Sequence, residues 1–186
     1  MSKLFDFNND IPLGIQYGDY DSRIISSSQE FKNYDASNGK LNSPTAWCPA
    51  KSDKDKHPWI QVTLSEEKFI TSVTFQGRKD KSFGNQYVTK FRILYSKDGK
   101  NFQHLEEFEG LSDVDQTIKR WFTIPIKCIA IRLQVLEYIG WPSLRFELGY
   151  APDYLIDTKI KEKLGNSFLN ESNYINKFLY ILYIKY

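Results

Sequence analysis

The stretch KFITSVTFQGRKDKSFGNQYVTKFRILYS, residues 68–96, decides the fold of this chain. Residues of its first part point alternately to two faces of an extended segment, and Phe69, Val73 and Phe75 lie on one of these faces. The alternation resumes in residues 90–96, after a polar interruption that contains glycine. Period-two alternation of β-branched and aromatic residues on both sides of a loop predicts two antiparallel strands.

The loop between these strands, residues 77–86, is too long for a tight two-residue turn. It carries Phe83 among charged residues. A polar loop with one aromatic near its tip is typical of a binding module, because loops on a rigid scaffold present contact residues. The stretch therefore predicts a binding surface as well as a fold.

Other short segments with a strand pattern flank this stretch, separated by polar or glycine- and proline-containing loops. Pro125 is expected to separate two of them, residues 121–124 and 128–135. About eight short strands without a convincing helix between them predict an all-β sandwich or barrel. The segments are residues 23–27, 59–64, 69–76, 90–96, 102–108, 121–124, 128–135 and 143–148.

The charge balance and the apolar runs exclude several classes of protein. The chain has 25 basic and 23 acidic residues and no long basic run, so no nucleic-acid partner is predicted. No apolar run has the length of a transmembrane segment or a signal peptide, so we expect a cytoplasmic protein. Cys48 and Cys128 match no metal or redox spacing and are expected to be free thiols in a reducing compartment.

Catalytic motifs are not found in the sequence. The two histidines, His57 and His104, have no partner motif, and there is no phosphate-binding loop, metal-ligand cluster or nucleophile elbow. The adjacent carboxylates at 66–67 and 106–107 would point to opposite faces of a strand. The chain is predicted not to be an enzyme.

A series of short motifs runs in order through residues 12–149. They include Pro12-Leu13-Gly14, Ala46-Trp47-Cys48-Pro49, Phe75-Gln76-Gly77-Arg78, Tyr87-Val88-Thr89-Lys90-Phe91 and Leu144-Arg145-Phe146-Glu147-Leu148-Gly149. Together they resemble the discoidin domain family, which includes the C-type domains of coagulation factors V and VIII, and most of all the N-terminal domains of amoebal discoidins. The resemblance implies an eight-stranded antiparallel β-sandwich of the jelly-roll type, whose binding surface is made by projecting loops called spikes.

The resemblance also divides the chain into three parts. Residues 1–11 form an N-terminal arm, residues 12–151 the sandwich, and residues 152–186 a C-terminal tail. Secreted relatives have a cysteine directly before the Pro-Leu-Gly motif and another after the last strand. Ile11 stands at the first of these places and no cysteine follows the last strand, so the disulfide that joins the two ends is absent.

Three segments are expected to form the binding surface by this resemblance. They are the first spike within residues 28–35, the second spike at 77–86, and the neighbouring edge at 136–141. Arg78-Lys79-Asp80 stands where amoebal discoidins have an Arg-Gly-Asp adhesion triplet, so adhesion through that triplet is not expected. The expected ligand contacts are Phe31, Tyr34, Arg78, Lys79, Phe83, Asn85, Gln86, Tyr138 and Trp141.

No cofactor is predicted, and a calcium ion is the alternative left open. Some relatives hold calcium in the loop that precedes the position of Trp47. Asn38, Asn42 and Thr45 offer oxygen atoms there, but the loop is poor in the carboxylates that hard cations favour.

The tail differs in composition from the sandwich. Asp153 is a candidate cap for a helix over 153–164, and an apolar segment that fits a helix or a strand follows Ser172. Left exposed, this segment would promote aggregation. We therefore expect a partner protein to cover it, with docking onto the chain's own sandwich as the alternative. The residues expected to dock are Tyr174, Ile175, Phe178, Leu179, Ile181 and Leu182.

These features lead to a first hypothesis and two alternatives. The first is a non-catalytic intracellular scaffolding module that docks into a larger protein assembly, in a ciliary or cytoskeletal setting by family analogy. The second is a lectin, with aromatic rings and polar side chains of the spikes contacting a glycan. The third is phospholipid binding through the spike tips, weakened by the mixed charge of the second spike.

Overall fold

The computed structural model describes residues 10–20, 23–26, 33–50 and 57–164. Within them, eight strands form antiparallel pairs around one hydrophobic core, which confirms the predicted all-β fold. The strands are β1 (Ile11–Pro12), β2 (Ile24–Ser26), β3 (Trp59–Gln76), β4 (Arg78–Asp80), β5 (Gly84–Ser96), β6 (Gln103–Glu109), β7 (Thr117–Ile139) and β8 (Arg145–Ala151). Short 3-10 helices span Ile15–Tyr17 and Ala36–Gly39, and helix α1 spans Asp153–Leu164.

The sheet follows the order β1-β8-β3-β7-β5-β4, with β2 added to β3 and β6 added to β5. It curls so that β3 and β5 face each other, and the rings of Phe75 and Phe91 meet edge-on with centroids 4.7 Å apart. The two strands of residues 68–96 are therefore not neighbours in the sheet, contrary to the simplest interpretation of the sequence. β7 pairs with both and lies between them, and the connecting residues form a small hairpin in which β4 pairs with the start of β5.

Two of the strands are longer than predicted. β3 joins the segments predicted at 59–64 and 69–76, and β7 joins those at 121–124 and 128–135. Pro125 does not end β7, because it lies where the β3–β7 register shifts, between the pairs Ser72–Trp121 and Ile70–Ile126. A proline is tolerated at such an irregularity, since its missing N–H group is not needed for a ladder hydrogen bond.

A bulge in β3 changes which side chains face the core. The register with both β7 and β8 shifts between Ile70 and Ser72. Ile70 therefore joins Val73 and Phe75 in the main core cluster. Phe69, predicted to share their face, is buried outside that cluster with the Lys127 ammonium 5.1 Å from its ring centroid. The prediction fails here because one extra residue reverses the alternation of faces.

The N-terminal segment is fastened to the sheet without a disulfide. β1 pairs with β8, and the carboxylate of Asp10 lies just before it with only 1% of the side chain exposed. This carboxylate accepts hydrogen bonds from the hydroxyls of Thr71 and Ser72 and forms an ion pair with Lys119. A Cβ atom at Gly149 would overlap it. Residues 10 and 11 of the predicted arm thus contact the sheet.

Helix α1 begins at one end of the sheet and the β4–β5 hairpin projects from the other. Ala151, which ends β8 shortly before α1, pairs with Phe69. Gln76, which ends β3 just before the hairpin, pairs with Arg145. The helix docks through Ile156, which is 3% exposed. No helix among the described residues is long and apolar enough to span a membrane. The predicted docking residues of the tail, within 174–182, lie outside the described residues.

Replacing Asp10 with Ala should destabilise the fold. The change removes a buried carboxylate that accepts two hydroxyl hydrogen bonds and pairs with Lys119. We expect the free energy of unfolding to fall by about 2–4 kcal/mol. Equilibrium denaturation in urea measures this. The control is Asp115→Ala, which removes an exposed ion pair with Lys79 and should cost less than about 1 kcal/mol. Equal losses in the two variants would contradict the role of Asp10.

Candidate ligand-binding end of the sandwich

The second spike is mostly paired strand. β4 and β5 form a hairpin with the cross-strand pairs Arg78–Gln86, Lys79–Asn85 and Asp80–Gly84. Residues 81–83 make the turn, and Gly84 follows with φ +73°, a left-handed conformation that favours glycine. Phe83 lies in this turn with 73% of its surface exposed. The hairpin therefore holds one large apolar side chain in solvent on a regular backbone.

The two sides of the hairpin have different environments. Residues paired across two strands share a face, so Arg78 and Gln86 lie on one side and Lys79 and Asn85 on the other. Arg78 and Gln86 are only 8% and 7% exposed, whereas Lys79 and Asn85 are exposed. The Lys79 ammonium donates to Asp115 at 2.9 Å, and this hydrogen bond raises the pKa of Lys79.

Arg78 ties the hairpin to the end of the first spike. Its guanidinium lies 4.3 Å from the ring centroid of Tyr34, in cation–π geometry. One of its terminal nitrogens donates to the Gln86 side-chain oxygen at 2.9 Å. Tyr34 is held in turn, because its carbonyl oxygen accepts from the amide of Cys48 at 3.0 Å. Three predicted site residues, the partly exposed Tyr34 and the buried Arg78 and Gln86, thus form one network.

Ser143 extends this network to the strand connection after β7. Its hydroxyl lies 2.9 Å from the Gln86 side-chain oxygen and 3.0 Å from the Cys48 sulfur. Ser143 is fully buried and Cys48 is 1% exposed. The sequence did not single out either residue for the site, because a serine beside a predicted strand and a lone cysteine carry no pattern that links them to Gln86.

The third segment of the predicted surface lies directly against the hairpin. Gly140 has φ +70°, and a Cβ atom there would overlap the carbonyl oxygen of Asn85. The indole nitrogen of Trp141 donates to the Pro49 carbonyl oxygen at 2.7 Å, which fixes the ring. Ile139, the last residue of β7, is 49% exposed. Tyr138 packs partly against the core.

The structure thus separates the predicted contacts into three groups. Tyr34, Arg78 and Gln86 are joined in one network, in which Arg78 and Gln86 are buried. The exposed or partly exposed residues on or beside the hairpin are Phe83, Asn85, Tyr138 and Trp141, with Lys79 on the side that faces Asp115. Phe31 lies outside the described residues. A role in ligand contact stays a prediction for all of them.

The loop considered for calcium has its side-chain oxygens paired within the protein. The Asn38 oxygen accepts from the Thr45 hydroxyl at 2.8 Å, and the Asn42 oxygen accepts from the Gln76 amide at 2.9 Å. In the part of the chain that the structure describes, no three His, Cys, Asp or Glu residues are grouped to hold a metal. A cation would have to displace these hydrogen bonds, and calcium here stays a prediction.

Known proteins share both the sequence pattern and the architecture. The omicarin-C non-catalytic subunit of a venom prothrombin activator from Oxyuranus microlepidotus is 30% identical over 149 residues, which cover 74% of this chain and 10% of that subunit. A solved structure of discoidin II from Dictyostelium discoideum has a TM-score of 0.62 at 24% identity, covering 69% of this chain and 55% of that one. The chain thus spans only part of these relatives.

A carbohydrate-binding module has the same architecture. The family 32 module of NanJ from Clostridium perfringens, solved in complex with galactose, has a TM-score of 0.55 at 17% identity. It covers 70% of this chain and 96% of that module, and at this identity the likeness concerns the fold alone. The family model of the F5/8 type C domain matches residues 23–148. The chain therefore belongs to the F5/8 type C domain family, whose members are carbohydrate- and protein-binding modules.

Proposed function

We propose that this chain is a non-catalytic module that binds a protein partner through the end formed by the β4–β5 hairpin and residues 138–141, and so docks into a larger protein assembly. One observation carries the proposal: two large apolar side chains, Phe83 in the hairpin turn and Ile139 at the end of β7, are 73% and 49% exposed. An exposed apolar pair on a fixed backbone is typical of a protein-binding surface.

Burial of these side chains supplies a driving force for association. Burying a phenylalanine or isoleucine contributes roughly 1.5–3 kcal/mol each. Little of that gain is lost in ordering the hairpin, because the Arg78 network and the contact at Gly140 already hold it. The arrangement therefore favours a preformed contact surface.

The buried network argues for protein over glycan as the main ligand. A sugar site needs accessible polar groups for the hydroxyls, yet Arg78 and Gln86 are almost fully buried and bonded to each other. A glycan could reach them only by separating Arg78 from Tyr34. The exposed polar side chains described in the hairpin are Lys79, Lys81, Ser82 and Asn85.

Glycan binding at the same end is a second candidate, favoured by Trp141. Its ring is held by the 2.7 Å hydrogen bond to Pro49 and remains partly exposed, close to Asn85. A fixed indole face next to an amide is a suitable platform for a sugar ring. Phospholipid binding has less support, because Phe83 is a small apolar wedge beside the Lys79–Asp115 ion pair.

The cellular location of the chain and its lack of catalytic activity are parts of the same proposal. Cys48 and Cys128 are buried free cysteines, and burial raises the pKa of the Cys128 thiol to about 12, which supports inert thiols in a reducing compartment. The non-catalytic role is supported by the family of binding modules. A cytoplasmic setting is proposed with it, and a ciliary or cytoskeletal one rests on family analogy.

Photo-cross-linking from position 83 tests the proposal. A photoreactive phenylalanine at Phe83 in the full chain in cells should yield a defined protein adduct, identified by mass spectrometry. The control places the same group at Tyr154, which is 71% exposed on α1 at the opposite end. With the partner purified, Phe83→Ser should weaken binding about tenfold or more and Tyr154→Ser should not. Equal adducts from both positions, or an affinity unchanged by Phe83→Ser, would exclude the hairpin as the protein contact.

Arg78→Gln should loosen the hairpin without removing any exposed side chain. The variant loses the stacking on Tyr34 and a charged hydrogen bond, together worth about 1.5–3 kcal/mol. Amide hydrogen exchange in residues 79–85 should become faster by roughly one to two orders of magnitude, since local opening governs exchange. Lys79→Gln, on the other face, is the matched control and should leave exchange nearly unchanged. Similar exchange in both variants would show that the network does not hold the hairpin.

A further inference from the structure

An arginine in the middle of β7 lies on the outer face of the sheet. Arg132 pairs with Gln61 of β3 on one side and with Leu94 of β5 on the other. Side chains that are paired in this way share a face of the sheet. Leu133, the next residue of β7, belongs to the core cluster, so Arg132 and its two partners lie on the opposite, outer face.

Two aromatic rings and one hydrogen bond fix the position of this guanidinium. Its central carbon lies 3.9 Å from the ring centroid of Trp59 and 3.6 Å from that of Phe102. Trp59 belongs to β3 and Phe102 directly precedes β6, so the two rings come from opposite sides of β7. The Nε atom of Arg132 donates to the Gln61 side-chain oxygen at 2.7 Å. A guanidinium held in this way has little side-chain freedom left to lose when it binds a ligand.

The terminal nitrogens Nη1 and Nη2 form the open edge of this guanidinium. Among the described residues, none forms a hydrogen bond or an ion pair with either nitrogen. The side chain is only partly exposed, and this burial lowers the pKa of Arg132. The charge is nevertheless kept, because arginine is not deprotonated in proteins. A cation that is partly removed from water thus faces solvent with two donors side by side.

Two other arginines of the sheet show the contrast. The Arg92 guanidinium forms an ion pair with Glu107 at 2.8 Å, and the terminal nitrogens of Arg145 donate to backbone carbonyl oxygens. Both arginines thus use their terminal nitrogens to hold the fold together. In Arg132 only the Nε atom and the stacked faces have that role, so its open edge is available to a ligand.

The surroundings of Arg132 favour an anionic ligand. The register places no acidic residue directly beside it on the outer face. The flanking positions on β3, β5 and β7 are Trp59, Thr63, Arg92, Ser96, Ala130 and Gln134. Asp98, in the turn after β5, accepts from the backbone amides of Lys100 and Asn101, so its carboxylate is used within that turn. A carboxylate from outside would therefore meet no competing acidic group at these positions.

The chemistry of a single guanidinium indicates which anion fits. Two parallel N–H groups match the two oxygens of a planar carboxylate, which gives a bidentate pair. Phosphate sites usually combine several cations, and the neighbouring Arg92 is already paired with Glu107.

Apolar side chains surround the open edge. Ile25 pairs with Gln61, lies on the same face and is 49% exposed. Trp59, Leu94 and Phe102 are partly exposed. This rim favours a peptide segment over a free small anion, because apolar residues next to the acidic one can be buried in the same contact.

We propose that Arg132 is the centre of a second docking site, which binds an acidic side chain of a protein segment together with the apolar residues beside it. The carboxylate accepts from the two terminal nitrogens of Arg132, and the apolar residues pack on Trp59, Phe102 and Ile25. This site shares no residue with the hairpin end. Either surface can therefore be occupied without the other.

Titration of the isotope-labelled full chain with acetyl-Leu-Glu-Leu-amide at millimolar concentrations tests this site. In nitrogen–proton correlation spectra this peptide should shift the Nε–H signal of Arg132 and the indole N–H signal of Trp59. The matched peptide acetyl-Leu-Gln-Leu-amide should shift them much less. Arg132→Lys keeps the charge but loses the planar pair of donors, so binding followed at Trp59 should weaken about tenfold. Arg92→Lys is the control and should bind like the unchanged chain, because Arg92 is already paired with Glu107.

Four results would overturn the proposal. The first is that neither peptide shifts the two signals, and the second is that both peptides shift them equally. The third is that Arg132→Lys keeps full affinity while its spectrum shows an intact fold. The fourth is that inorganic phosphate shifts the signals as strongly as the Glu peptide, which would make this a general anion site. Phe83→Ser separates the two surfaces, because it should leave binding of the Glu peptide unchanged whether or not the hairpin contacts a protein.

Discussion

The pairing of β3 with β7 is the constraint on which the rest of the structure depends. It runs from Trp59–Gln134 to Gln76–Thr117, so each strand passes through both halves of the curled sheet. β2 and β8 attach to β3 and β5 attaches to β7, while β1, β4 and β6 each add to one of those strands. Because the ladder ends at Gln76, the hairpin that follows projects from that end and α1 starts at the other.

Buried polar groups hold segments of the chain to the sheet at both of its ends. Covalent bonds or apolar packing have this role elsewhere. Asp10 binds the N-terminal segment to β3 and β7 through hydroxyls and an ammonium. Arg78 binds the hairpin to Tyr34 and Gln86. Each group has its hydrogen-bond partners within the protein, so the free-energy cost of removing it from water is offset. Removing those partners would leave the full cost of the buried group. Polar contacts of this kind fix geometry more narrowly than apolar ones, because they require both distance and direction.

The binding surfaces follow from this division between buried polar and exposed apolar groups. At the hairpin end, Arg78 and Gln86 are buried in the scaffold, whereas Phe83 and Ile139 are exposed. Between the 3-10 helix Ile15–Tyr17 and the loop at 38–44, the exposed ring of Tyr17 lies beside carboxamides that are hydrogen-bonded within the protein.

The sequence by itself determined the strand content, the all-β fold and the presence of an exposed aromatic in the second spike, because alternation and loop composition act within a few residues. Only the tertiary structure decided that β7 lies between β3 and β5, that the bulge after Ile70 moves Phe69 out of the core cluster, and that Arg78 is buried rather than presented. These outcomes depend on contacts such as Gln86 with Ser143 and Asn42 with Gln16, whose partners are far apart in the chain. Local periodicity carries no information about such partners, since register and long-range packing are set only when the whole sheet closes.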